Sequence, residues 1–150
     1  MRVVIQRVSK ASVRSEGFGE NSIKTGLLIL LGIEEPDREE DVDWLSGKIA
    51  RLRVFGDEAG VMNLSVMEIE GELLVISQFT LHASTKKGNR PSYIKAARPE
   101  HAIPLYESFL KKLRSETGMY VVSGWFGADM KVELTNDGPV TIIIDSRNRE

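Results

Sequence analysis

Two hydroxyl side chains, Ser77 and Thr80, follow an apolar run near the middle of the chain, where they could take part in nucleophilic catalysis. Residues 73–76 are Leu, Leu, Val and Ile, which predicts a buried strand with the hydroxyls at its end. A hydroxyl is a weak nucleophile without an adjacent base, and His82 is the nearest imidazole in the sequence. On a continuing strand, Thr80 and His82 would share a face. The alternative is that both hydroxyls end the strand and bond to backbone.

A second segment, residues 136–141, interrupts another apolar stretch with polar groups and a constrained backbone. Its sequence is Asn-Asp-Gly-Pro-Val-Thr, and it separates residues 130–134 from residues 142–144. Asn-Asp-Gly is a common turn sequence, and a proline after it would stop strand pairing. The alternative is a cis bond before Pro139, a minority state that indicates a backbone held for a purpose. Both segments are predicted at the edge of a buried sheet, as two halves of one site.

Together the two segments resemble those of the D-aminoacyl-tRNA deacylases, the D-tyrosyl-tRNA deacylase family, which remove D-amino acids wrongly esterified to tRNA. The resemblance covers nearly the whole chain. It includes residues 2–8 (Arg-Val-Val-Ile-Gln-Arg-Val) and 11–13 (Ala-Ser-Val) at the start, residues 88–93 (Gly-Asn-Arg-Pro-Ser-Tyr) in the middle and residues 126–128 (Phe-Gly-Ala) near the end.

The resemblance implies a carboxylic ester hydrolase that cleaves D-aminoacyl-tRNA into free amino acid and tRNA. Because glycine has no side chain to reject, we also expect it to cleave mischarged glycyl-tRNA. It also implies that the tRNA supplies the critical hydroxyl, because a ribose 2′-OH is within reach of the ester carbonyl. The protein would then place the ester and offer the backbone N–H groups of Phe79 and Thr80 to the oxyanion. The implied catalytic residues are therefore Thr80 and Phe79, and the implied substrate-binding residues are Ser77, Gln78, Phe79 and Met130.

The resemblance also assigns a role to the second segment. A Gly138-Pro139 element would project from one subunit of a homodimer into the partner's site, where it would block any L-side chain. Arg7 lies in a strand that is otherwise predicted to be buried, so its guanidinium needs a partner. We expect Arg7 to brace the Gly138-Pro139 loop together with Asn136 and Thr141.

Charge is segregated along the chain, although the net charge is only -2. Residues 34–43 hold seven acids, whereas residues 82–98 hold five basic residues and no acid. The net charge argues against a general nucleic-acid binder, and we expect no DNA partner. A basic loop of this kind is often only solvated. Beside a site for the aminoacylated 3′ end of a tRNA, however, Lys86, Lys87 and Arg90 are expected to contact phosphates. Phe79 is either a core residue or a surface for the terminal adenine.

The composition predicts a single domain covering residues 1–150, since 41% of the residues are hydrophobic. No stretch approaches the roughly 20 apolar residues of a membrane span, and the charged start does not resemble a signal peptide. We therefore expect a cytoplasmic protein without membrane partners. The chain has no cysteine, which excludes disulfides and a thiolate nucleophile. Neither His82 nor His101 has a metal-binding motif around it, so we expect no metal and no cofactor.

The pattern of elements predicts an α+β fold with largely antiparallel sheets, because strands do not alternate regularly with helices. One helix is predicted to begin at Pro36, with Val42, Leu45, Ile49 and Leu52 on its inner face. A second helix is predicted over residues 99–117, ended by Gly118. The family resemblance implies barrel-like sheets and a homodimer. The predicted strands are residues 1–8, 11–13, 22–24, 26–33, 54–55, 66–69, 73–77, 120–123, 131–135 and 140–145.

Two other functions remain compatible with the residues. One is a non-catalytic module that binds RNA ends, and the other is a small-ester hydrolase that uses Thr80 directly as its nucleophile. Loss of ester from matched D- and L-aminoacyl-tRNA separates them, because the binder cleaves neither and the simple esterase also cleaves free esters.

Overall fold

The first strand, β1 (Arg2–Ser15), hydrogen-bonds along both of its edges in a computed structural model that describes residues 1–150. Its first half pairs antiparallel with β3 (Gly26–Gly32), and its second half pairs antiparallel with β2 (Gly19–Ile23). Its other edge pairs antiparallel with β8 (Lys131–Asp145) from end to end. The remaining elements are α1 (Glu39–Ala50), β4 (Phe55–Gly56), β5 (Met62–Leu64), β6 (Glu72–Ser77), a 3-10 helix (Phe79–His82), α2 (Pro99–Thr117) and β7 (Val121–Ser123).

The main sheet is mixed and nearly closes into a barrel. Its strand order is β2-β1-β3-β6-β7, and the pairs β3–β6 and β6–β7 are parallel. Parallel neighbours need long crossovers, and the two crossovers here contain α1 and α2. At the two ends of the sheet, Asn21 Nδ2 on β2 donates to the Ser123 carbonyl on β7 at 2.8 Å. The predicted α+β class, the two helices and the barrel-like sheet are confirmed, and two parallel pairs join the antiparallel ones.

Alternate residues of the central strands enter two cores. Leu27 and Ile29 of β3 lie in a core with residues of α1 and α2, whereas Leu28 lies in a second core within the barrel. Both groups are almost fully buried. A strand with two covered faces has no polar positions, which explains the continuous apolar sequence of β3. Each such side chain contributes about 1.5–3 kcal/mol of hydrophobic stabilisation.

Local hydrogen bonds and backbone preferences determine where the two α-helices begin and end. The first turn of α1 contains three acids, and Asp41 Oδ2 accepts a hydrogen bond from the Arg38 backbone N–H at 2.9 Å. This cap places the start of α1 at Glu39, after the predicted start. The second helix has Pro99 in its first turn and ends at Gly118, whose φ of 65° is left-handed, as predicted. No helix here combines the length and the apolar content that crossing a membrane requires.

Residues 66–69 were predicted as a strand and form a turn instead. Ser65 and Glu68 exchange hydrogen bonds, from Ser65 N to Glu68 Oε2 at 2.7 Å and from Glu68 N to Ser65 Oγ at 3.3 Å. These local bonds compete with sheet pairing. The apolar pattern reflects the packing of Val66, which is fully buried. The strand in this region is β5, which forms a two-stranded sheet with β4.

The close approach of β3 to β6 yields a test of the fold. A Cβ atom at Gly26 would lie 1.8 Å from the Glu72 carbonyl oxygen. Gly26→Ala should therefore lower the free energy of unfolding by about 3 kcal/mol or more, because backbone must move to relieve the contact. Gly56→Ala is the matched control, since its nearest atom is 4.0 Å away, and its effect should stay within about 1 kcal/mol. Equal urea midpoints for the two variants would contradict this prediction.

Candidate functional site

The residues that follow β6 line a cavity of about 270 Å³, which we call the apolar cavity. Ser77, Gln78, Phe79 and Met130, the four predicted substrate-binding residues, all line it. Ser77 and Gln78 provide its only polar side chains. The structure thus brings the four residues together in a pocket whose wall has no acid and no base. The other lining residues are Leu31, Ile33, Ile76, Ala97, Ala102, Phe126, Gly127, Ala128 and Val132.

The chain leaves the sheet at Ser77 and turns at once into the 3-10 helix. Gln78 N donates to the Leu31 carbonyl at 2.7 Å, which fixes the point of departure. The Gln78 side-chain amide donates to Thr80 Oγ1, and Thr80 is not among the residues that line the apolar cavity. The first N–H groups of a helix have no acceptor within the helix, and those of Phe79 and Thr80 occupy this position.

The expectation that Thr80 and His82 share a strand face is wrong, because the strand does not continue past Ser77. A 3-10 helix turns by about 120° per residue, so side chains two positions apart point in different directions. His82 is only 3% exposed, and its Nδ1 lies 3.6 Å from Glu34 Oε2. Sequence reasoning missed this Glu34 partner, since the two residues come together only when β3 packs against the 3-10 helix.

Aromatic rings border the apolar cavity. Phe79 is 55% exposed, which excludes the core alternative, and its ring meets that of Tyr93 edge-on at 5.1 Å. On the wall, the Phe126 ring meets the buried Tyr106 ring at 5.6 Å. Burial raises the pKa of Tyr106 to about 12. The Tyr106 hydroxyl therefore stays protonated at neutral pH and donates to the Val75 carbonyl at 3.1 Å.

The second predicted segment is a loop extruded from β8, which we call the Gly-Pro loop (residues 137–140). In the register of β1 with β8, Gln6 is opposite Thr141 and Val8 is opposite Asn136. Between these two pairs the chain advances by two residues in β1 but by five residues in β8. The additional residues of β8 have no partner in β1 and therefore leave the sheet. The Gly138-Pro139 bond is cis, and Gly138 has a φ of 130°. The prediction of a turn that separates two strands is therefore replaced by one long strand with an insertion.

Arg7 lies opposite this insertion and contacts it. Its Nε donates to the Asp137 carbonyl at 2.9 Å, and its Nη1 donates to the Val54 carbonyl at 2.7 Å. Asn136 Oδ1 accepts from Val140 N at 2.9 Å, and its Nδ2 donates to Thr141 Oγ1 at 3.2 Å. The structure thus brings Arg7, Asn136 and Thr141 to the Gly-Pro loop.

The Gly-Pro loop does not reach the apolar cavity of its own chain. The cleft that contains Gly138 and Pro139 is lined by neighbours such as Arg7, Phe55 and Met62 and shares no residue with the apolar cavity. Within one chain, the two predicted halves of the site therefore remain apart.

Lys86, Lys87 and Arg90 lie in an exposed loop and form no ion pair. Reciprocal backbone bonds between Ser84 and Ser92, at 2.8 and 2.9 Å, close this loop at its base. Lys86 alone of the three also lines a separate polar cavity.

Comparisons with known proteins agree with the predicted family. A family model described as D-Tyr-tRNA(Tyr) deacylase matches residues 4–145. A relative from Bacteroides fragilis (strain YCH46), named D-aminoacyl-tRNA deacylase, is 66% identical over 150 residues, 100% of both chains. A solved structure named c-Myc DNA Unwinding Element Binding Protein has a TM-score of 0.91 and 41% identity, covering 97% of this chain and 98% of that one. Another, described as a probable eukaryotic D-amino acid tRNA deacylase, shares the fold, with a TM-score of 0.82, 16% identity and coverage of 95% and 97%.

The contacts of Arg7 yield a second test. Arg7→Ala should lower the free energy of unfolding by about 2–3 kcal/mol, because two carbonyl groups lose a charged donor whose side chain is only 15% exposed. Arg14→Ala is the control on the same pair of strands. Arg14 pairs with Glu133 at 3.6 Å, with both side chains more than 60% exposed, so the loss there should be about 0.5 kcal/mol or less. Urea denaturation measures both, and equal losses would contradict a bracing role for Arg7.

Proposed function

Because the chain belongs to the D-Tyr-tRNA(Tyr) deacylase family and is a D-aminoacyl-tRNA deacylase, we propose that it cleaves its ester by RNA-assisted catalysis and rejects L-amino acids sterically. The composition of the apolar cavity is the single observation that most supports this mechanism. Its polar side chains are one hydroxyl and one amide, Ser77 and Gln78. Such a wall can shape and orient a substrate, but it provides no general base, which favours a base or proton shuttle that belongs to the substrate.

In the proposed reaction, water attacks the ester carbonyl and the bond to the ribose oxygen breaks. The leaving ribose oxygen takes up a proton, and the products are a free D-amino acid and tRNA. The neighbouring 2′-OH of the terminal ribose assists the attack, since it is covalently held near the carbonyl. The backbone N–H groups of Phe79 and Thr80 stabilise the oxyanion. Their position at the start of the 3-10 helix supports this role, because no acceptor within the helix competes for them.

Phe79 is also proposed to hold the terminal adenosine. A base stacked on an aromatic ring gains about 1–3 kcal/mol, whatever its identity. The exposure of Phe79 and its edge-on contact with Tyr93 support this assignment, because the contact fixes the ring while leaving a face open. Ser77, Gln78 and Met130 then contact the aminoacyl group within the apolar cavity.

The Gly-Pro loop is proposed to act in trans, in the apolar cavity of a second copy of this chain. Its separation from the cavity of its own chain supports this arrangement. A further support is the outer face of β8, where Val132 and Leu134 are each 36% exposed and Val132 also lines the apolar cavity. Apolar residues beside an incomplete site fit a homodimer interface. Arg7, Asn136 and Thr141 hold the loop in position.

The basic loop is proposed to contact the tRNA backbone. Lys86, Lys87 and Arg90 are exposed and free of ion pairs, so their charges are available to phosphates. Such contacts increase affinity without selecting a base sequence. The partner is proposed to be tRNA and not DNA, because only tRNA has the aminoacyl ester that the deacylase family cleaves.

The source of the reactive hydroxyl is tested by paired substitutions. If the RNA assists catalysis, Thr80→Ala should lose about fivefold in rate, the value of one positioning hydrogen bond of about 1 kcal/mol. Replacing the terminal 2′-OH by hydrogen should remove most of the activity. Single-turnover deacylation measures both, with Thr80→Ser as the variant that keeps a hydroxyl. An inactive Thr80→Ala enzyme together with normal cleavage of the deoxy substrate would show a protein nucleophile instead.

Steric rejection is tested with three substrates. A gate that occupies the space of an L-side chain does not need to detect the D-side chain. D-alanyl-tRNA and glycyl-tRNA should therefore be hydrolysed and L-alanyl-tRNA should resist, because a hydrogen fits where a methyl group does not. Ten-thousandfold selectivity corresponds to roughly 5.5 kcal/mol, and Pro139→Ala should reduce it.

Parallel deacylation assays on the three substrates decide the matter. Glycyl-tRNA as resistant as L-alanyl-tRNA would mean that the enzyme recognises the D-side chain positively. Resistance of D-alanyl-tRNA itself would refute the deacylase function for this substrate.

A further inference from the structure

A second, polar cavity lies next to the apolar cavity, and we call it the cationic cavity. It has a volume of about 430 Å³ and is lined by three basic side chains, Arg2, Lys86 and Lys95. Two hydroxyl side chains, Ser84 and Thr85, line it as well. Ammonium, guanidinium and hydroxyl groups are all hydrogen-bond donors, and the first two have a positive charge. The set of donors matches the needs of a phosphate group.

The charges around the cationic cavity are not balanced internally. Arg2 is paired with Asp145, whose Oδ2 lies 2.9 Å from Arg2 Nη2. Glu34 is the only acid in the lining, and its Oε2 lies 3.6 Å from His82 Nδ1. Lys86 and Lys95 have no ion-pair partner. The cavity therefore has a net positive charge, and its concave shape concentrates the field on a bound anion.

The two cavities are lined by residues that are adjacent in the sequence. Ile33 lines the apolar cavity and the next residue, Glu34, lines the cationic cavity. Consecutive Cα atoms are about 3.8 Å apart. The 3-10 helix has the same arrangement, with Phe79 on the apolar side and His82 on the cationic side. The two cavities are therefore lined by neighbouring residues of the same two segments.

We propose that the cationic cavity binds one backbone phosphate of the tRNA 3′ strand, close to the terminal adenosine. The proposal rests on the proposed function, which places that adenosine at the mouth of the apolar cavity. Lys95 and Lys86 neutralise the phosphate, and Arg2 is held at the edge of the cavity by its Nη1 bond to the Leu81 carbonyl at 2.8 Å. The contact fixes the end of the strand at one point, which sets how deeply the ester enters the apolar cavity.

The proposal is tested by removing the charge of one lysine in the protein and the charge of one phosphate in the tRNA. Lys95→Ala should raise KM for D-alanyl-tRNA about tenfold or more, the value of a charge-assisted hydrogen bond, and leave kcat nearly unchanged. The slope of log KM against log salt should fall by about 0.7. Hydrolysis of D-alanyl-adenosine, which has no phosphate, should be unchanged. Lys95→Arg should retain wild-type KM, and Lys111→Ala on the exposed face of α2 is the control.

Uncharged methylphosphonate linkages, placed one at a time at the last three phosphates of the tRNA, identify the bound group. One position should weaken binding to the wild-type protein about as much as Lys95→Ala does, and should cause no further loss in that variant. Independent losses at every position would overturn the proposal, and so would equal KM increases on D-alanyl-adenosine. Binding titrations with tRNA that has no amino acid attached compare Lys95→Ala and the methylphosphonate linkages without catalysis. If the wild-type enzyme is inactive but one methylphosphonate linkage still weakens tRNA binding only when Lys95 is present, the proposed function is refuted and the phosphate site stands.

Discussion

Hydrogen bonding along both edges of β1 is the constraint on which the rest of the structure depends. One edge holds β8, and the mismatch of register there forces the Gly-Pro loop out of the sheet opposite Arg7. The other edge holds β3, which in turn pairs with β6. The end of β6 then delivers Ser77, Gln78 and the 3-10 helix to the apolar cavity. A change in the pairing of β1 would therefore displace the loop and the cavity together.

The distribution of charge complements this arrangement. The apolar cavity has no ionisable side chain in its wall, while five basic residues lie in segment 82–98, of which Ala97 lines the cavity. In the proposed mechanism the protein provides shape, backbone donors and exclusion of bulk water, all of which need rigid packing more than reactive groups. The two cores on either side of β3 provide that rigidity, because close-packed interiors resist deformation.

Local sequence chemistry predicted the elements whose ends are defined by single residues. Pro99 and Gly118 mark the limits of α2, and the apolar run before Ser77 marks β6. Long-range pairing escaped prediction. The continuity of β8 through Pro139 depends on the register with β1, and the parallel pairs depend on crossovers that no local pattern encodes.

The candidate site also contains features that the sequence predicted and features that it did not. Spacing along the chain suggested Thr80 and His82 as partners, yet the 3-10 helix separates them. The convergence of Met130 with Ser77, by contrast, followed from the family resemblance and not from spacing, since the two are distant in sequence. Arg7 was the exception, because a charged residue in a buried strand needs a partner, and this need alone pointed to a contact across the sheet.

The contact between β2 and β7, at the two ends of the sheet, has a consequence for motion, and we call this contact the seam of the barrel. Strand β7 is three residues long and pairs with β6 only, and a single side-chain bond from Asn21 joins it to β2. Local opening costs least where few contacts must break, so we expect amide protons in β7 to exchange with solvent earlier than those in β3. The wall of the apolar cavity begins only a few residues further along, at Phe126. We therefore expect the side of the apolar cavity near Phe126 to deform more readily than the side formed by β6.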